Sequence, residues 1–311
     1  MFAIESLIRN ATKDKKRLSI LVVNEGYEEY ITLLAENLDH DFFLVEGAVK
    51  DVRQWLENDK PNNVYLCNSL QGMGQRYIDL IICFNRGQAY ESAERISQVL
   101  HSPLIVVDFV SSQQKLPAPV ASQVTFENPN ILYMRNGEAS IATTDFIGRS
   151  WTSNIPSLNY KINFPHKPYN MHDGKRGKVL IDKIIPKDYL NQLNIQPNSI
   201  YTADPSEASV YLHMWKHKTP MFFRAMSSKI PILILNDPEM SDVAQNKSCV
   251  FIDRVDIFNS PDTLNSIMGF PDLQKIVNNA YASVVNNSEE EFTTKWENIL
   301  HHVSNKCLVR F

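Results

Sequence analysis

The sequence predicts an α/β protein of two doubly wound domains, each a mainly parallel sheet with helices on both faces. Three observations carry this. Short, continuous apolar runs rich in Val, Ile and Leu, as at 18–23, 80–84 and 102–109, alternate with segments whose apolar residues recur at helical spacing. The alternation breaks once, between 164 and 177, and then resumes. Finally, 311 residues exceed what one ordinary core holds, so two domains are expected.

In order, residues 18–23 (LSILVV) read as a buried strand and 27–38 as a helix with its apolar residues on one stripe. A second strand is expected at 41–47, a helix at 49–58, a short strand at 63–67 and a clear one at 77–85. Residues 89–100 are amphipathic, and 102–109 form another buried strand. Strands at 130–136 and 159–165, with a helix at 138–148 between them, complete the first half. Repetition of this βαβ kind gives right-handed crossovers and a Rossmann-like domain, set at residues 1–165.

Residues 164–177 (FPHKPYNMHDGKRG) hold two prolines and two glycines among few apolar residues, the composition of a linker. The second domain, 166–311, follows with a strand at 178–184, a helix at 186–193 and strands at 199–203 and 208–215. A helix at 222–229 and strands at 231–235 and 249–253 complete its sheet. Residues from 261 onward are helical by pattern, each segment opening on Pro-Asp or an acidic run that suits a helix N-terminus.

Composition narrows the function classes. Hydrophobic content of 43% and charged content of 21% are globular values, and a net charge of −4 disfavours nucleic-acid binding by global attraction. Cys67, Cys83, Cys249 and Cys307 are widely spaced and suit small core residues of a reducing compartment. The N-terminal residues mix acid and base around a short apolar patch, unlike a secretory signal, and no apolar run reaches membrane-spanning length. A cytoplasmic protein is expected. His166 and His172 lack partners at ligand spacing, so no metal site is expected.

Open α/β sheets bind ligands outside the carboxyl ends of their strands, so two such domains face each other across a cleft. Glu25, the 85–87 turn and Asp108 should border it from the first half, with Lys183 and residues 216–219 opposite. Lys216, His217, Lys218 and Thr219 precede the N-terminus of the 222–229 helix, an arrangement suited to a phosphate. Thr219 either caps that helix or touches the anion; the cap is the favoured reading. Glu25 and Asp108 end strands where an acceptor hydroxyl needs a general base, although a loop carboxylate capping the next element is the commoner role. His213, inside an apolar strand, reads as a satisfied core histidine.

The segment Arg224-Ala225-Met226-Ser227-Ser228-Lys229, then Ile230-Pro231-Ile232, resembles the E-A-M-A-S-G…P-V-I stretch of GT-B glycosyltransferases. The likeness is greatest to the large retaining family of glycogen- and sucrose-synthase-like enzymes. Asp237-Pro238-Glu239 is similar to the family's Pro-Glu turn, 178–187 (KVLIDKIIPK) to the segment opening its donor domain, and 290–303 to its closing helix. The resemblance implies a GT-B fold, no bound cofactor, and a nucleotide-sugar such as a UDP- or GDP-sugar as co-substrate held by the second domain. It implies that Lys183, Lys216, Thr219, Arg224 and Glu239 bind the donor, with cations on the departing diphosphate. The acceptor, expected on the first domain, is left open by the resemblance: a glycan, a lipid carrier, a protein or a modified nucleobase would each suit it.

One departure from the family bears on activity. Its two glutamates, with seven residues between them, fall here on Lys216 and Arg224. An arginine cannot accept the ribose hydrogen bond that the second glutamate takes. Two readings follow: a hexosyltransferase-type enzyme, retaining by resemblance, or a degenerate GT-B-like module that binds a nucleotide, glycan or protein partner without sugar transfer.

Overall fold

A computed structural model of the chain describes residues 17–23, 27–45, 60–67, 69, 77–85, 88–109, 139–143, 158–169, 177–181, 201–202, 204–214, 218–235, 247–252 and 261–306. Seven strands form the first sheet: β1 (Ser19–Val23), β2 (Asp41–Val45), β3 (Val64–Cys67), β4 (Leu80–Phe84), β5 (Leu104–Asp108), β6 (Ala139–Ala142) and β7 (Leu158–Lys161). Their order is β3-β2-β1-β4-β5-β6-β7, and every pair is parallel. Strands β4 (LIICF) and β5 (LIVVD) are buried along their whole length, as strands covered on both faces must be. Helices α1 (Glu28–Asn37) and α2 (Gln88–Leu100) follow β1 and β4 in the chain.

The second sheet has five strands: β8 (Lys178–Leu180), β9 (Tyr201–Thr202), β10 (Ala208–His213), β11 (Ile232–Leu235) and β12 (Val250–Ile252). They lie in the order β12-β11-β10-β8-β9, again wholly parallel. Helix α3 (Pro220–Ser227) connects β10 to β11, and α4 (Pro261–Met268), α5 (Leu273–Ala282) and α6 (Glu289–Lys306) end the described chain.

One element differs in kind from the sequence reading. Residues 139–142, expected within a helix, are strand β6, paired with β5 and β7. All four are buried. Ala, Ser, Ile and Ala carry little preference of their own, and small side chains fit a strand closed in on both faces, so packing overrides local propensity. The segments expected at 49–58, 130–136 and 186–193 lie outside the described residues.

The closing helix packs on the other sheet. Phe292, Trp296, Ile299, Leu300 and Val303 of α6, at helical spacing, share one buried cluster with β1, β2, β4 and β5. The connection after β7 packs as well. Phe164 is buried and its ring stacks on Phe223 of α3, centroids 4.0 Å apart and planes 12° from parallel. Lys167 pairs with Glu36 of α1 at 2.9 Å and Glu289 of α6 at 3.3 Å. The Tyr169 amide donates to Ser228 Oγ at 2.7 Å.

Trp296, fully buried among Tyr30 and the strand residues, fastens α6 to the first sheet. Trp296→Ala is expected to cost about 3–5 kcal/mol, the range for deleting a large buried aromatic, read as a lowered urea midpoint.

Candidate functional site

Each sheet has one place where its strand order reverses, and open parallel sheets bind ligands in the crevice there. In the first sheet the reversal lies between β1 and β4. Asn85 directly follows β4, with φ of 58°, a left-handed conformation that asparagine tolerates better than most residues. Its Nδ2 donates to the Tyr27 hydroxyl and its Oδ1 accepts from the Phe109 amide at 2.8 Å. One side chain therefore ties together the segments that follow β1, β4 and β5. The Tyr27 ring stacks on Phe109, centroids 4.7 Å apart, and Phe109 also meets Phe84, Tyr30 and Phe164. Through the Phe164–Phe223 stack this aromatic floor continues into the second half.

Asp108, expected at the cleft, is the last residue of β5 and is 0% exposed. Its Oδ2 accepts from Ser140 Oγ at 3.0 Å, so it joins β5 to β6 below the surface. In this conformation it does not reach solvent. Glu25 lies outside the described residues.

In the second sheet the reversal falls between β8 and β10. Lys183 and Lys216 each stand three positions past the end of one of these strands, at Leu180 and His213, and with Glu239 they lie outside the described residues. His213 is buried, its Nδ1 3.0 Å from the Tyr211 hydroxyl and its ring edge-on to Phe222 of α3, the satisfied core histidine expected. Thr219 caps α3, as favoured: its Oγ1 accepts from the Phe222 amide at 3.3 Å, with Pro220 as the first helical residue.

Arg224, one turn into α3, faces the seam between the two halves. Its guanidinium carbon lies 4.1 Å above the Tyr169 ring centre, a cation–π contact. Its Nε is buried and has no hydrogen-bond partner among the described residues. On the other side of the seam is a residue that sequence reasoning missed, Glu29 in the first turn of α1, which packs against α3. The Glu29 carboxyl lies near the Met221 backbone and Arg224. Burial pushes its carboxyl above the ordinary 4.5, and the Met221 amide and Arg224 oppose this only in part. Two adjacent glutamates open α1, and nothing in the sequence marks the second as the one that crosses to another helix.

The group among the described residues best suited to chelation, His40, Glu297 and His301, lies elsewhere. Glu297 Oε2 is 3.2 Å from His40 Nε2 and 3.3 Å from His301 Nε2. The Leu18 amide donates to His40 Nδ1 at 3.2 Å, which leaves the proton of the neutral ring on Nε2 and removes the lone pair a metal needs there. The triad is a polar clamp between α6 and the approach to β2. The spacing Asp-x-Asp, used by metal-dependent sugar transferases of another fold, occurs at Asp39 and Asp41. Both pair with Arg17, at 3.4 and 2.8 Å.

Two parallel doubly wound sheets with a final helix returning to the first define a GT-B glycosyltransferase-like fold. The chain is similar to sucrose-phosphate synthase from Thermosynechococcus elongatus, with a TM-score of 0.57 at 10% identity over 93% of this chain and 100% of that one. A glycosyltransferase from Rickettsia africae gives 0.55 at 13% identity, covering 93% and 99%. Anabaena HepE in complex with UDP-glucose gives 0.54 at 13% identity, covering 92% and 100%. No protein-family model matches the chain, and no curated protein matches it in sequence. No helix among the described residues is long and apolar enough to cross a membrane.

The Glu29 shift has a defined sign. A carboxyl whose folded pKa is raised contributes stability that is complete below its unfolded pKa and is lost as pH rises through the folded value. Glu29→Gln is therefore expected to match the wild type in melting temperature below about pH 4.5 and to exceed it increasingly above. Thermal melts across pH 4–8 read the divergence, and parallel curves would refute the shift.

Proposed function

We propose that this protein transfers a sugar from a nucleotide-sugar to an acceptor held by its first half, the two halves being domains that meet at about residue 165. The observation that carries this reading is the seam between α1 and α3. There the capped N-terminus of α3 and Arg224 lie beside the segment that follows β1, at the switch region of the first sheet. A nucleotide diphosphate departing from the sugar needs positive charge held in place, and a helix N-terminus with a seam arginine offers it.

Lys183 and Lys216 add to that charge in this assignment, and Glu239 faces the donor sugar through its backbone. Thr219 contributes chiefly by capping α3. Glu25 is the better candidate for a general base, because Asp108 is spent on Ser140. Retention of configuration rests on the family resemblance. The fold likeness to HepE, crystallised with UDP-glucose, supports a uridine nucleotide as the first donor to test. No bound cofactor is required by this chemistry, and the protein would act in the cytoplasm.

A second reading has its own support. The positions resembling the family's glutamate pair hold Lys216 and Arg224, and Arg224 already lies over the Tyr169 ring. A module that kept the fold and binds a nucleotide or glycan without transfer would tolerate both changes.

A thermal-shift and calorimetric panel of nucleoside diphosphates and nucleotide-sugars, with slow hydrolysis followed in the same samples, separates the readings. A donor raises the melting temperature with concentration by mass action. Binding accompanied by hydrolysis is the outcome expected of the transferase; binding without turnover, with or without candidate acceptors, favours the module. Arg224→Ala is expected to weaken diphosphate binding by about 1.5–3 kcal/mol, the worth of a charge-assisted hydrogen bond. Unchanged affinity in calorimetry would remove Arg224 from the donor site.

A further inference from the structure

We propose that His40, Glu297 and His301 form a proton-operated latch that holds the C-terminal half of α6 on the first sheet, closed while the His40 ring is neutral and released by acid. The latch stands apart from the donor site proposed above.

His40 immediately precedes β2 and is buried. Its two ring nitrogens reach two different elements. Nδ1 accepts the Leu18 amide, just before β1, at 3.2 Å, and Nε2 lies 3.2 Å from Glu297 Oε2 of α6. Neither Nε2 nor Oε2 has another partner among the described residues, so each depends on the other. A neutral ring with its proton on Nε2 fits both neighbours. A protonated ring carries a hydrogen on each nitrogen and cannot, because Nδ1–H then faces the Leu18 N–H, donor against donor. Leu18 is buried as well, so its amide loses an acceptor where water does not replace it. The ring has little freedom to turn away, since Asn63 Nδ2 ties the His40 carbonyl at 3.0 Å to that of Ala35 at 3.0 Å.

The surrounding charges do not remove this conflict. From α6 come Glu297 and, one turn further on, His301, whose ring stands edge-on to His40 with centroids 6.0 Å apart. Glu297 Oε2 is shared between the two histidines, and its single charge balances one imidazolium, not two. On the strand side Asp39 and Asp41 pair with Arg17, and the Lys60 ammonium donates to the Pro61 and Val64 carbonyls. Burial holds His40 below the ordinary histidine value of 6.5; Glu297 offsets this only in part, and His301 adds to it. A histidine kept neutral in this way contributes stability that is complete above about pH 6.5 and is lost as pH falls toward the folded value. Phe292 and Trp296 anchor α6 before this point, so the part released is 297–306. Helix α6 follows the second sheet in the chain and docks on the first, so opening this end weakens one tie between the halves.

The test is hydrogen–deuterium exchange of the full chain, read by mass spectrometry from about pH 8 to about pH 5.5 and corrected for the intrinsic pH dependence of exchange. Exchange in 297–306 of the wild type is expected to rise below about pH 6.5 by up to about tenfold per pH unit, the slope of one proton, while α2 stays constant. His40→Asn, whose Oδ1 can keep the Leu18 amide and whose side chain takes up no proton in this range, is expected to stay flat. Glu297→Gln keeps the shape of the contact and removes its charge. It is expected to match the wild type at about pH 8 and to exceed its exchange at about pH 5.5. Wild-type protection of 297–306 that does not change with pH overturns the latch. So does a rise of equal size in His40→Asn, which assigns the proton to another group. Should circular dichroism show His40→Asn unfolded, Glu297→Gln decides: exchange equal to the wild type at both ends of the range overturns the proposal.

Discussion

Both sheets are wholly parallel among their described strands, and the rest of the architecture depends on that constraint. A parallel strand cannot be joined to its neighbour by a tight turn; the chain must return across a face of the sheet, in most cases as a helix. The strands are thereby covered on both sides, which is why β4 and β5 are apolar throughout rather than alternating. The same constraint gathers all the carboxyl ends on one edge of each sheet. Tyr27, Asn85 and Phe109 in one half and Thr219 and Arg224 in the other come from the segments that follow those ends.

What joins the halves is mixed in character. Phe164 stacked on Phe223 extends the core of the first sheet into the helix that caps the second. Around this apolar centre lie polar contacts that each contribute modestly: the exposed Lys167 pairs, the Tyr169–Ser228 hydrogen bond and Arg224 above Tyr169. Helix α6 adds a further tie, since the C-terminal residues of the chain complete the core begun by β1. The connection at 164–169 is thus a packed strap.

The positions resembling the family's glutamate pair hold Lys216 and Arg224, two cations in a chain whose net charge is negative. Glu29, on the helix that packs against α3, lies near Arg224.

Much of the fold was legible in the sequence, because the strongest signals are local. Buried parallel strands are unbroken apolar runs, helices show their stripe, and Thr219-Pro220 marks a helix start by the chemistry of its own atoms. His213 could be read as a core histidine from its apolar neighbours alone. Residues 139–142 could not be read as a strand, since four small or neutral residues take their conformation from the strands on either side. Nor could the order of strands, the return of α6 to the first sheet, or the burial of Asp108 against Ser140, each of which depends on residues distant in the chain. Glu29 is the clearest case. By sequence it is one of two acids opening a helix, and only the packing of α1 against α3 brings it near Arg224. Local chemistry fixes what each segment can form; which helix packs on which is a contact between segments about 190 residues apart, set by tertiary packing.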